Sequence, residues 1–308
     1  MTAIASNPPI PGTPIDPPPK ETPDLIEKVE DADNVAAETV GVLYRAINRF
    51  NYAKASVLAA GTTYYIFLAM FSLIALAYGI TSLFGADQIS RYLTDAISEA
   101  FPGLLGEEGL DPNTLRAIGQ TASIIGLVVM MYAGSGAMVA ISSSVHLIYG
   151  APPDPRGYLM KRIIGIGWMM PLGFLLLVSF VGGTVIYRMS TRWMIELGIE
   201  SSSTHLFVNL AGILLTLLAD FLLVYIVLGK LGGIRPPRKA RLIGSVAGAL
   251  VIQLLRIPMA FILEFSIDQP EYGALAIPIG VLLVINLNIL AIFGAAALTA
   301  GFAEKDVA

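Results

Sequence analysis

Of 308 residues, 55% are hydrophobic and only 14% charged, against about 25% charged in an ordinary soluble domain, and the mean hydropathy is +0.72; a soluble globular enzyme is excluded. With no cysteine and two histidines, disulfides, zinc–thiolate sites, iron–sulfur clusters and cysteine nucleophiles are excluded too, and little remains for a metal centre. Net charge is -4 and the 19 Lys and Arg are scattered, which provides no basic face for a nucleic acid.

Eight of the 19 prolines fall in the first 23 residues, with no apolar stretch of signal-peptide length. Residues 1–33 therefore read as a disordered cytoplasmic tail. Over 34–54, Val40, Leu43, Tyr44, Ile47 and Phe50 recur on one helix face, with Arg45, Arg49 and Lys54 near by. The pattern predicts an amphipathic helix on the cytoplasmic membrane surface; a soluble helix packed on the loops is the alternative.

Crossing a hydrocarbon layer about 30 Å thick takes roughly 20 apolar residues in a helix. Six stretches within residues 55–303 meet that requirement, with spans at about 57–84, 118–148, 163–187, 206–229, 242–265 and 274–300. Between the first two, Ile89, Tyr92, Leu93, Ala96, Ile97, Ala100 and Phe101 predict an external amphipathic helix, ended by Pro102 and Gly103 and followed by the acidic Glu107, Glu108 and Asp111. Residues 304–308 form a short tail. No internal repeat stands out, so the inverted-repeat signature of many transporters is missing or too weak to see.

Lys and Arg in the connections set the orientation. Fourteen lie on the side of the N-terminal region, the 156–162 loop, the 230–241 loop and Lys305, and four (Arg91, Arg116, Arg188, Arg192) on the other, with Arg256 inside a span. Both termini are predicted to be cytoplasmic. The expected fold class is thus an all-α integral membrane protein of six transmembrane helices with amphipathic interfacial helices.

Charge inside a span costs a few kcal/mol, so Asp220 and Arg256 must face protein or water. Asp220 lies about 15 Å, and Arg256 about 21 Å, from the cytoplasmic edge at 1.5 Å per residue. An arginine side chain spans most of that offset. A structural ion pair, a site for an anionic or zwitterionic substrate, and snorkelling of Arg256 toward Glu264 are the open readings. Gly134, Ser135 and Gly136, then Ser142, Ser143 and Ser144, mark the second span for close helix packing or for a polar path. His146 follows as an interfacial hydrogen-bonding residue or a titratable switch, and His205 reads as interfacial. Gly244 and Gly248 make a packing spacing in the fifth span. Gln253, Arg256 and Pro258 make that helix the one expected to kink. Asn286 and Asn288 are two apart, so at least one bonds to a neighbouring helix. The loop KLGGIRPPRKAR is the most basic segment and suits anionic head groups.

No ligand-spaced His/Asp/Glu cluster, G-x-S-x-G elbow, P-loop or dinucleotide fingerprint occurs. The chain is expected not to be an enzyme and to need no cofactor.

The segment ASVLAAGTTYYIFLAMFSLIAL resembles the opening of the YihY/BrkB family of bacterial inner-membrane proteins. SGAMVAISSSVHLIYGAPPDPRGYLMKR is similar to that family's stretch before a basic loop, and RKARLIGSVAGALVIQLLR followed by YGALAIPIGVLLVINLNILAIFGAAALTA resembles its close. The likeness spans most of residues 50–301. It departs at Phe71, Ser72, Leu73 and Ile74, where the family favours a proline, and at Asn286 and Asn288, where the family is rich in aromatics. The resemblance implies six spans in a bacterial plasma membrane and a link with envelope integrity, serum resistance or export of lipids or solutes. It offers no catalytic residue to transfer. A ribonuclease label attached to the family conflicts with the residues here, which supply neither metal ligands nor a basic RNA-binding face.

The expected function is a transporter or permease for a lipid or small solute, its pathway near Asp220, Arg256, Ser135, Ser142, Ser143, Gln253 and Asn286, with Gly134, Gly136, Gly244 and Gly248 as packing positions. The alternative is a non-transporting envelope scaffold whose external loop binds a partner. Expected partners are membrane lipids and the substrate, not nucleic acid; a homo-oligomer stays open.

Overall fold

The computed structural model describes residues 35–83, 94–95, 98, 111–151, 156–196, 202–267 and 276–305. The proline-rich tail, the acidic pair Glu107 and Glu108, most of the external amphipathic helix, residues 306–308 and the side chains of His205, Pro258 and Glu264 lie outside the described residues.

Every described element is helical: α1 (Val35–Tyr52), α2 (Ala55–Leu83), α3 (Pro112–Tyr149), α4 (Tyr158–Glu196), α5 (Ser202–Ile226) running into a π-helical turn (Val227–Leu231), α6 (Arg238–Ile267) and α7 (Ala276–Lys305). Each predicted span overlaps one helix of α2 to α7; the first passes Leu83 by one residue, the fourth runs into the π-helical turn, and the sixth begins before Ala276. Among the described residues three apolar segments, Met131–Tyr149, Leu210–Leu231 and Pro278–Ala303, are long and apolar enough to cross a membrane.

Local chemistry sets the ends. Asp111 caps α3 by accepting from the Thr114 amide at 3.3 Å and from the Thr114 hydroxyl at 2.9 Å, and Pro112 occupies the first helical position, where no amide hydrogen is needed. The other end of α3 closes with the Ala151 amide donating to His146 O and the Gly150 amide to Leu147 O, Gly150 having φ +69°. Glycine is required there twice over: the conformation is left-handed, and a side chain would collide with the buried Arg49 guanidinium. Pro171 sits inside α4, which runs on through it.

α7 is the spine. It packs against α6, α1, α2 and α3, while α2 pairs with α3, α4 with α5 and α5 with α6. From Ile289 to Ala303 eight of fifteen residues are alanine or glycine, and Phe293, Ala296, Thr299, Ala300 and Ala303 are fully buried. Small residues let backbones close in: Gly244 meets Thr299 and Ala295, Gly248 meets Ala295 and Val224, and Gly301 meets the Val42 carbonyl of α1. Large apolar side chains such as Val57, Leu159, Phe174, Leu214 and Leu254 point outward, as they do when the surroundings are lipid rather than water.

α1 uses two faces. Val42, Ala46 and Arg49 are buried, with α7 as the main partner helix, whereas Val40, Leu43 and Ile47 of the predicted apolar stripe are exposed. The helix is docked on the bundle and keeps an apolar stripe exposed.

Candidate functional site

The polar centre of the helices is built from one residue on each of three of them. An isolated carboxylate in an apolar helix must turn toward partners, and Asp220 on α5 does so, being 2% exposed. Ser179 on α4, equally buried, donates its hydroxyl to Asp220 Oδ1. Arg256 on α6 donates from Nη2 to Asp220 Oδ2 at 2.7 Å and to Ser179 Oγ at 2.7 Å. The three side chains form a closed triangle that ties α4, α5 and α6 together. It is not sealed: Arg256 is 29% exposed, and among the described residues no acceptor meets its Nε or Nη1. Gln253, one turn before Arg256, is half-buried with its Oε1 out of solvent and without a hydrogen-bond partner among the described residues.

The other expected pathway residues are distributed elsewhere. Ser135 on α3 accepts from Arg162 Nη1 at 3.1 Å and donates to Tyr132 O. Ser142 donates to Leu231 O at 2.8 Å, and His146 Nδ1–H donates to Gly232 O at 2.6 Å, fastening α3 to the π-helical turn. Ser143 is half-buried on the same helix. Met138, Val139, Ser142, Arg156, Lys161, Ile164 and Leu231 line a hollow of about 10 Å³, space for roughly one water. Asn286 donates to Thr63 Oγ1 of α2 at 3.3 Å, and Asn288 bonds within its own helix to Val284 O. A side chain at Gly134 would strike Met169 of α4, and one at Gly136 would press on the Tyr65 ring of α2. Ser179 lies seventeen residues from Arg162 along α4, about 25 Å, so Ser135 and Asp220 belong to different levels.

Three groups escaped the sequence reading. Ser179 is an isolated hydroxyl in an apolar run, and nothing in the run marks its face as inward. Arg162, counted there only as a topology charge, is packed between two tyrosines. Arg241, read with the head-group-attracting loop, turns inward instead: its guanidinium lies 3.6 Å from the Tyr225 ring centroid and donates to Tyr225 O from Nε and Nη2. Gly229 leaves the room for it. Lys230, Arg235, Arg238 and Lys239 of that loop do stay exposed.

A family model described as Virulence factor BrkB matches residues 46–308, which takes in all of α2 to α7 and the whole triangle. The chain belongs to the BrkB family. Inner membrane protein YhjD of Escherichia coli (strain K12) is 24% identical over 256 residues, covering 78% of this chain and 74% of that protein. No solved structure matches. As a BrkB-family membrane protein the chain thus carries, within the matched region, a charged triangle at the meeting point of α4, α5 and α6 and a docked helix whose second half, from Ala46, opens the match.

Proposed function

We propose that this BrkB-family chain is a multi-pass transporter or permease of a bacterial inner membrane, moving a lipid or small solute and performing no covalent chemistry. All six spans cross, and both termini lie in the cytoplasm. Support for this topology comes from the agreement between the six apolar stretches and helices α2 to α7, from the excess of Lys and Arg on one side, and from the name of the related inner membrane protein.

The observation that carries the transport reading is the incompletely closed triangle. A pair serving only to hold helices would satisfy both partners, yet the guanidinium of Arg256 keeps an edge that no acceptor among the described residues meets, beside the buried Asp220. An anionic group on the substrate takes that edge, since a guanidinium binds carboxylate or phosphate through two parallel hydrogen bonds. Asp220 and Ser179 hold the arginine in position while the edge is empty.

The test is flux in proteoliposomes loaded with a polar-lipid and metabolite extract and read by mass spectrometry. At least one species should cross faster than in vesicles without the protein, and Asp220→Ala and Arg256→Ala should each slow it by about tenfold or more. Wild-type flux in both variants removes the site; no species crossing removes the transport reading.

A further inference from the structure

A second basic group is built in a way that the triangle does not use. Arg162 lies one turn into α4, and its guanidinium is flanked by two aromatic rings: the Tyr132 centroid is 4.0 Å from Cζ and the Tyr158 centroid 5.1 Å. Its hydrogen bonds hold it in one orientation. Nε donates to the Tyr158 hydroxyl at 2.7 Å, and Nη1 donates to Tyr132 O at 3.0 Å and to Ser135 Oγ at 3.1 Å. A guanidinium has five N–H donors, and these contacts use three. No acceptor among the described residues meets Nη2, which leaves two donors over.

Those two donors lie among exposed aromatic and apolar side chains. Tyr132 and Tyr158 are each 64% exposed, and Leu159, Met160 and Ile163 beside Arg162 are exposed as well. Tyrosines with apolar bodies and polar tips populate the head-group level of membrane proteins, and basic pockets between helices on the cytoplasmic side take lipid phosphates. Local charge chooses the sign of the ligand: Arg156, Lys161 and Arg162 fall within seven residues, and Asp154 is the one acidic residue of the sequence between Asp111 and Glu196.

We infer that Arg162, clamped by Tyr132 and Tyr158 at the α3–α4 edge, binds the phosphate of an anionic phospholipid head group. The ring clamp and the Ser135 bond remove the rotamer freedom that usually weakens an exposed arginine, and the pair of Nη2 donors meets two phosphate oxygens. This site acts on a bilayer lipid whether or not the chain transports anything, and it is independent of Asp220 and Arg256.

The test is native mass spectrometry of the full chain in detergent, titrated with phosphatidylglycerol, with phosphatidylcholine, and with phosphatidylglycerol in a large excess of inorganic phosphate. Phosphatidylglycerol should bind more tightly than phosphatidylcholine and should survive the free phosphate. Arg162→Gln should weaken phosphatidylglycerol by about tenfold or more, while Lys20→Gln in the proline-rich N-terminal segment, the same change of charge, should change it by less than about twofold. Tyr132→Leu removes one ring and keeps the backbone carbonyl, so it decides the matter if Arg162→Gln melts early; it should weaken the lipid about threefold. Unchanged phosphatidylglycerol binding in a folded Arg162→Gln or in Tyr132→Leu overturns the site. Equal binding of phosphatidylcholine overturns the choice of an anionic lipid, and displacement by inorganic phosphate overturns a lipid source.

Discussion

At Asp220 the cost of a charge inside apolar helices is offset by donors from two other helices, one neutral and one cationic. Removing either member of the ion pair leaves the other buried and unmatched, which costs about 3–5 kcal/mol, whereas removing both charges together costs far less. Asp220→Asn and Arg256→Gln should each lower the thermal unfolding midpoint in detergent strongly, and the double variant should recover much of the loss; strictly additive losses would contradict a direct pair. Both residues were legible in the sequence because a charge within an apolar run is rare, and their depths differed by about 6 Å, within the reach of an arginine. Ser179 was not legible, because a single hydroxyl in a membrane helix is cheap on either face. The tyrosines around Arg162 were hidden for a related reason: they come from two helices, and their meeting depends on how those helices rotate against each other.

For single elements, apolar run length placed the helices and undershot their ends. α3 and α4 extend past the predicted spans at both ends, since Asp111 and Pro112 start α3 outside the apolar stretch and the run into Glu196 keeps helical hydrogen bonding without needing lipid. Periodicity in α1 identified an apolar stripe but not the opposite face, on which Val42 and Ala46 dock against Gly301 of α7 through small side chains and backbone. The π-helical turn after α5 had no sequence mark. It widens the helix at Val227–Leu231, with the Gly232 amide donating to Val227 O at 2.8 Å, and Arg241 takes up the Tyr225 carbonyl. Gly229→Ala places a methyl where that guanidinium lies, so the bond is lost and stability should fall by about 1–3 kcal/mol. Gly61→Ala is the matched control: nothing lies within 4 Å of its added carbon, and the gain in helix propensity should leave stability equal or up to about 1 kcal/mol higher. Equal midpoints for the two variants would show that Arg241 does not brace the turn.

Across the whole molecule, α7 holds α6, α1, α2 and α3 by small-residue contact, while α4 and α5 attach through α3, α6 and the triangle. The charged group therefore lies where the α4–α5 pair joins the rest, and on the proposed transport function this is the place where two bodies would move against each other. The central claim is that this junction opens to water. Since the chain has no cysteine, one introduced thiol reports on one position. The measurement is labelling of Arg256→Cys, carried with Asp220→Asn so that no charge is left unmatched, by a membrane-impermeant cationic thiosulfonate in sealed vesicles, beside Arg235→Cys as the cytoplasmic marker. The account predicts that the thiol at 256 reacts, and that the thiol at 235 reacts only from the cytoplasmic side. A thiol at 256 that stays unmodified from both sides, while the one at 235 is labelled, would mean a sealed structural pair and would contradict it.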